Sequence, residues 1–170
     1  PHIVIGLHYG RLLGEWKALE MIRRHRPDAL VLVVVMPMYA TPKRPFVAPD
    51  PHEVGRLFLQ ARAALPDIPL LLGCARPQGA AKTLIDAYAV MAGLNGMAHP
   101  SDGMVELAVR LNRPIRVTPA CCSIAVGDEV MALESDDSGL TPDIQGLLRQ
   151  ERQRHRLKGI RVVSQAEGGA

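Results

Sequence analysis

Apolar positions along the chain fall into two alternating kinds of run. His2 to Leu7 reads as a strand. From Leu12 onward, Leu12, Trp16, Leu19 and Ile22 recur at three- and four-residue steps, which predicts a helix to about Arg26. Pro27 and Asp28 break it. Ala29 to Met36 is then apolar at every position and rich in β-branched residues, the pattern of a strand covered on both faces, as in a parallel sheet. A Pro-rich loop spans Pro37 to Asp50, and Pro51 suits the first turn of a helix whose apolar stripe is Val54, Leu57, Phe58 and Ala61. Pro69 to Cys74 predicts a third strand. The next helix opens at Gly79 and Ala80, runs through Leu84, Ile85, Tyr88 and Met91, and ends at Gly93. Asn95 to Ala98 is a short fourth strand, followed by a helix from about Ser101 to Leu111 that Ser101 or Asp102 would cap.

Strand and helix thus alternate four times over short connections, which predicts an α/β fold with a parallel sheet. About four βα units fit either part of a (β/α) TIM-type barrel or a small doubly wound sheet. This unit covers residues 1–133. Past it the pattern decays into a polar extension, residues 134–170, with a turn at Ser135–Gly139, a polar helix from Pro142 to Leu157 and a frayed end from Gln165. The extension is expected to be helical in part and otherwise without order. Pro1 leads straight into a strand, so the chain is expected to start inside a longer domain.

Composition narrows the classes. At 170 residues, 48% apolar and 22% charged, the chain can bury a core of its own. The formal charge of +3 is small. Arg149, Arg152, Arg154, Arg156 and Lys158 form a basic run that could touch RNA, but a solvated helix face is the commoner outcome and no nucleic-acid partner is expected. No apolar stretch approaches the ~20 residues of a membrane helix, and the chain opens without the pattern of a signal peptide. Cys74, Cys121 and Cys122 make no disulfide framework. A cytoplasmic protein without a membrane partner is expected.

Candidate chemistry lies where the loops of a parallel sheet converge, at the C-terminal strand ends. The first end offers Gly6, Leu7, His8, Tyr9 and Gly10, then Gly14 and Glu15. Gly6 and Gly10 would let the backbone approach a ligand closely, although glycines after a strand also serve plain turns. Their spacing is neither GxGxxG nor a P-loop. Cys74 and Arg76, two residues apart at the third end, are expected on the same side of the sheet. A lone cysteine is as often a small buried hydrophobe, so function has only a slight edge there. Cys121 and Cys122 are adjacent and no CxxC occurs, which excludes a zinc ribbon, while soft thiolate ligands could still join Cys74 around iron–sulfur. His8 and His99 are candidate ligands or bases, each evenly balanced against a structural role. No Ser/His/Asp set stands out, and the acidic residues mostly fall on helix surfaces.

The order of these pieces is more specific than any one of them. A strand ending in Ile5-Gly6-Leu7 with a nearby Gly14-Glu15 is followed by a strand running into Thr41-Pro42. Ala61-Arg62, then Leu72-Gly73-Cys74-Ala75-Arg76 and Met91-Ala92-Gly93-Leu94-Asn95-Gly96 come after it. The set resembles the C-terminal half of radical-SAM enzymes of the biotin and lipoyl synthase kind, from Ile3 to Pro100 and more weakly to Ser123. Gly73-Cys74-Ala75-Arg76-Pro77 with a later Cys121-Cys122 looks most like the two-subunit lipoyl synthases of archaeal type.

That resemblance implies S-adenosylmethionine and a 4Fe–4S cluster as cofactors. It implies reductive cleavage to a 5′-deoxyadenosyl radical, hydrogen abstraction from an unactivated C–H and, in some members, sulfur insertion. Gly6, Leu7, His8, Gly14 and Glu15 would lie near the cofactor, and Thr41, Pro42 and His99 on the substrate side. Arg76 falls where biotin synthases have an arginine that ligates an auxiliary iron–sulfur cluster, with Cys74, Cys121 and Cys122 as further ligands. The family's CxxxCxxC is missing from the 170 residues, and in the family it belongs to the first βα loop. The ligands of the catalytic cluster are therefore expected outside this chain, which alone should not start the reaction. Val33 stands where biotin synthases have a polar residue near the substrate, which argues against biotin as product.

The expected partners are a small-molecule or carrier-protein-bound substrate, together with a missing N-terminal half or a partner subunit. Two alternatives remain open: a cluster-less partner subunit of a radical-SAM enzyme, and an unrelated (β/α) protein that binds a small molecule.

Overall fold

The computed structural model describes residues 1–37, 45–115 and 117. Thr41, Pro42, Cys121, Cys122 and the whole extension 134–170 lie outside the described residues. Four βα units follow one another as expected: β1 (His2–Ile5), α1 (Glu15–His25), β2 (Leu30–Val34), α2 (Pro51–Ala64), β3 (Leu70–Leu72), α3 (Ala80–Ala92), β4 (Gly96–Met97) and α4 (Met104–Arg110). The strands form one parallel sheet in the order β1-β2-β3-β4. His2 lies beside Val31, Leu30 beside Leu70, and Leu71 beside Gly96.

That register places Ile3, Ile5, Leu30, Leu32, Val34, Leu70 and Leu72 on one face. They join Leu19 of α1, Val54, Leu57 and Phe58 of α2, and Ile85 and Ala89 of α3 in a single core. These three helices therefore cover the same face, as a strand order without reversal requires when each crossover is right-handed. Each large apolar side chain removed from water there contributes about 1.5–3 kcal/mol. Val31 and Leu71, pointing the other way, are buried as well, whereas Val4 on the outermost strand is 39% exposed. The unbroken apolar run of β2 thus reflects burial on both faces.

Local signals set most of the boundaries. Asp50 caps α2, its Oδ1 accepting the His52 N–H at 3.0 Å, with Pro51 in the first turn. Gly93, in the left-handed region at φ 82°, ends α3. The strands are shorter than the apolar runs suggest. β1 stops at Ile5 because Gly6 turns away at φ 82°, its carbonyl accepting the Gly10 N–H at 2.8 Å.

One expectation is corrected. Neither Ser101 nor Asp102 caps the last helix: Gly103 occupies that position without a side-chain bond, and the Ser101 hydroxyl donates to Asp86. On α3 only part of the apolar set is buried. Leu84 and Met91 are exposed, and Ile85, Asp86, Ala89 and Ala92 face inward.

Candidate functional site at the C-terminal strand ends

The loop from β1 to α1 is organised by one acid. Glu15, the first residue of α1, is 95% shielded from solvent, at 5% exposure. Its Oε1 accepts the Gly6 N–H and its Oε2 the Leu13 N–H, both at 2.8 Å. The carboxylate so joins the end of β1 to the far end of the loop. Between them Tyr9 adopts φ 54°, His8 stands edge-on to it with ring centroids 5.5 Å apart, and Tyr9 packs on Phe46 at 5.0 Å. Leu7 projects into solvent.

Gly6 and Gly10 take part in a turn and in close packing. A Cβ on Gly6 would meet the Pro49 ring at 2.9 Å, and one on Gly10 the Val47 carbonyl oxygen at 2.5 Å. Both also have positive φ. They therefore admit the neighbouring β2–α2 loop. Gly14 differs, because no heavy atom lies within 4 Å of the place its Cβ would take.

At the ends of β3 and β4 the expectation that Cys74 and Arg76 share a side is corrected. β3 ends at Leu72, so strand alternation does not extend to either residue. Cys74 is exposed, and Arg76 is fully buried at 0%. The Arg76 Nε donates to Asp86 Oδ1 at 2.6 Å, and its Nη1 donates to the Gly73 carbonyl. Its Nη2 donates to the Ala98 carbonyl and, at 2.8 Å, to that of His99. The guanidinium is thereby engaged within the fold. Among the described residues no group of three His, Cys, Asp or Glu side chains could hold a metal ion. Cys121 and Cys122, the further ligands expected with Cys74 and Arg76, lie outside the described residues.

Asp86 is the residue that sequence reasoning missed. It sits on the buried stripe of α3 at 0% exposure. Its Oδ2 accepts from Lys82 Nζ at 3.1 Å, from the Ser101 N–H at 2.8 Å and from the Ser101 hydroxyl at 2.7 Å. Burial alone would raise its pKa, and the bonds from Arg76, Ser101 and Lys82 outweigh that effect and hold the carboxyl below its usual value. Its signal was spacing, ten residues after Arg76 and four after Lys82, and that pattern is too common to single out.

Lys82 Nζ also donates to the His99 carbonyl at 2.8 Å and to Ser101 Oγ at 3.0 Å. The proximity of Ser101 to Lys82 does not make a nucleophile and base. The ammonium has an acceptor for each of its three protons, and the serine proton goes to Asp86. His99 itself is exposed, in the left-handed region at φ 47°. Its neighbour across the sheet is the end of β3, since the Ala98 N–H donates to the Leu72 carbonyl at 2.9 Å.

A second arginine performs the equivalent task at the opposite end of the sheet. Arg62 donates to the carbonyls of Leu65, Pro66, Ile68 and Gly93 and to Asn95 Oδ1. Asn95 Oδ1 in turn accepts the Leu70 N–H at 3.0 Å. Burial, and then the nearby Arg113 charge, lower the Arg62 pKa. A cleft of about 170 Å³ opens beside β4, lined by apolar side chains such as Val90, Met104 and Ala108. His8, Glu15 and Cys74 do not border it, so the cleft and the candidate chemistry are separate.

No helix among the described residues is long and apolar enough to cross a membrane. Compared with models of known families, with curated proteins and with solved structures, the chain finds no match.

Proposed function

We propose that the chain is the ligand-binding part of a (β/α) enzyme whose ligand lies over the C-terminal ends of the four strands. We further infer that this ligand is S-adenosylmethionine, used for radical chemistry of the biotin and lipoyl synthase kind on a small-molecule or carrier-protein-bound substrate. The observation that carries the first statement is the arrangement of the sheet. Four parallel strands run in order without reversal, α1 to α3 share one face, and Leu7, His8, Cys74 and His99 all follow strand ends on one side. Such a succession is compatible with part of an eight-stranded barrel, in which ligands bind at this end. The identity of the ligand rests on the ordered segments from Ile3 to Pro100.

S-adenosylmethionine, when bound, would supply on one-electron reduction a radical able to attack an unactivated C–H. The residues of this chain orient and shield. Glu15 keeps the β1–α1 loop in shape, Gly14 leaves open space at the start of α1, and Leu7 offers exposed apolar surface to a ligand. No iron–sulfur step is assigned to this chain. The catalytic cluster belongs, in this reading, to another segment or to a partner subunit, in the cytoplasm.

Calorimetric titration of the 170-residue chain with S-adenosylhomocysteine tests the reading. Saturable binding is expected, lost in Glu15→Ala and kept in Arg24→Ala on the outer face of α1. Absence of binding, with no in-frame CxxxCxxC encoded upstream of Pro1, would sink it.

A further inference from the structure

The cleft beside β4 joins an apolar crevice to an uncompensated charge. Val90 of α3, Met97 of β4, and Met104 and Ala108 of α4 supply walls. Among the described residues Arg113, which follows α4, is the only charged side chain that borders it. Gly93 gives that side chain its seat, since a Cβ there would meet both terminal guanidinium nitrogens at 3.2 Å. The Gly93 carbonyl accepts from Arg62 Nε, also at 3.2 Å, so two half-buried arginines flank one glycine. The other bonds of Arg62 go to neutral acceptors, the carbonyls of Leu65, Pro66 and Ile68 and the Asn95 amide oxygen.

No carboxylate balances the pair. Neither arginine forms an ion pair among the described residues. Asp86 of α3 is taken up by Arg76 and Lys82, and Glu106 of α4 does not border the cleft. Two cations close together and partly out of water favour an anion beside them. A bare anion would leave the apolar walls wet, and a purely apolar ligand would leave the charge unmet. We propose that the cleft binds a short-chain carboxylic acid, its carboxylate on Arg113 and its chain in the crevice between α3 and α4. The volume of about 170 Å³ equals that of about six waters in the liquid and so suits a chain of about six carbons. This site is separate from the strand ends, and nothing in it depends on the ligand proposed there.

Titration of the full chain with hexanoate, followed through its amide resonances, tests the site. Saturable shifts are expected at Asn95, Met104 and Ala108. Hexan-1-ol, which lacks the charge, and propionate, which lacks most of the chain, should each bind more weakly by about tenfold or more. Arg113→Met should weaken hexanoate by about tenfold and leave hexan-1-ol unchanged, with Arg113→Lys keeping most of the affinity. Ala108→Leu, which narrows the crevice and spares the charge, should weaken hexanoate and hexan-1-ol alike. Equal affinity of the wild-type chain for hexanoate and hexan-1-ol overturns the proposal. So does equal affinity of wild type and Arg113→Met for hexanoate, or saturation with shifts confined to other residues. Shifts at these amides that follow protein concentration and resist hexanoate would give the cleft to a second copy of the chain, and overturn it as well.

Discussion

At the scale of single residues, the molecule depends on buried polar groups that are completely partnered. Removing Asp86 leaves Arg76 charged, dry and without its counter-ion, which is the costly way to break a buried pair. Asp86→Ala should therefore lower the unfolding free energy by about 3–5 kcal/mol in denaturant titrations. The carboxyl is held below its usual pKa, so its contribution is present at neutral pH and disappears as pH falls through the depressed value. The stability difference between wild type and Asp86→Asn should stay level from about pH 8 to 5 and shrink below about pH 4, the ordinary range of an aspartate. A difference that grew on acidification would contradict this sign. Gly73 gives a second, purely steric case. A Cβ there would sit 2.4 Å from Val33 Cγ1, so Gly73→Ala should cost about 1–3 kcal/mol. Val33→Ala should relieve it, and the pair should cost less than the sum of the two singles by about 1 kcal/mol. Strict additivity in thermal melts would place the strain elsewhere.

At the scale of elements, the β1–α1 loop is held at its two ends by a single carboxylate. Glu15→Ala leaves the buried amide of Gly6 without its acceptor, and a loss of about 1–3 kcal/mol is expected. Hydrogen exchange should quicken at the amides of Gly6 and Leu13 before it does in β2. How much of this was legible beforehand depends on the kind of force involved. The α2 stripe of Val54, Leu57, Phe58 and Ala61 is buried as its spacing indicates, because there the apolar residues are also those that face the core. On α3 that equivalence fails. Small alanines pack inward, Tyr88 lies against Gly55, where a Cβ would come within 2.8 Å of the ring, and Leu84 and Met91 are left outside. Apolar periodicity reports water-avoidance and is blind to a buried aspartate that accepts from Arg76, Lys82 and Ser101. The strand ends were legible as the place for candidate chemistry. Which of Cys74 and Arg76 would face solvent was not, because alternation ceases with the last sheet hydrogen bond.

At the scale of the whole molecule, two arginines fasten the short pair β3 and β4 from opposite ends, Arg62 before the strands begin and Arg76 after they finish. Both rely on a planar fork of donors that a lysine cannot reproduce. Arg62→Lys and Arg76→Lys should each destabilise the fold. Because they share no acceptor, their effects should add within about 0.5 kcal/mol. Strong coupling in the double variant would mean that the two ends communicate through the sheet. The grip of Arg76 on its loops has a further consequence. Apart from Asp86, it recognises only main-chain oxygens, those of Gly73, Ala98 and His99, which every amino acid carries. The side chains at Cys74, His99 and Pro100 can be exchanged without disturbing the anchor. Holding the loops and choosing what they touch are separate tasks in this architecture, so one frame can be fitted to new ligands by changes at residues that carry none of its strength.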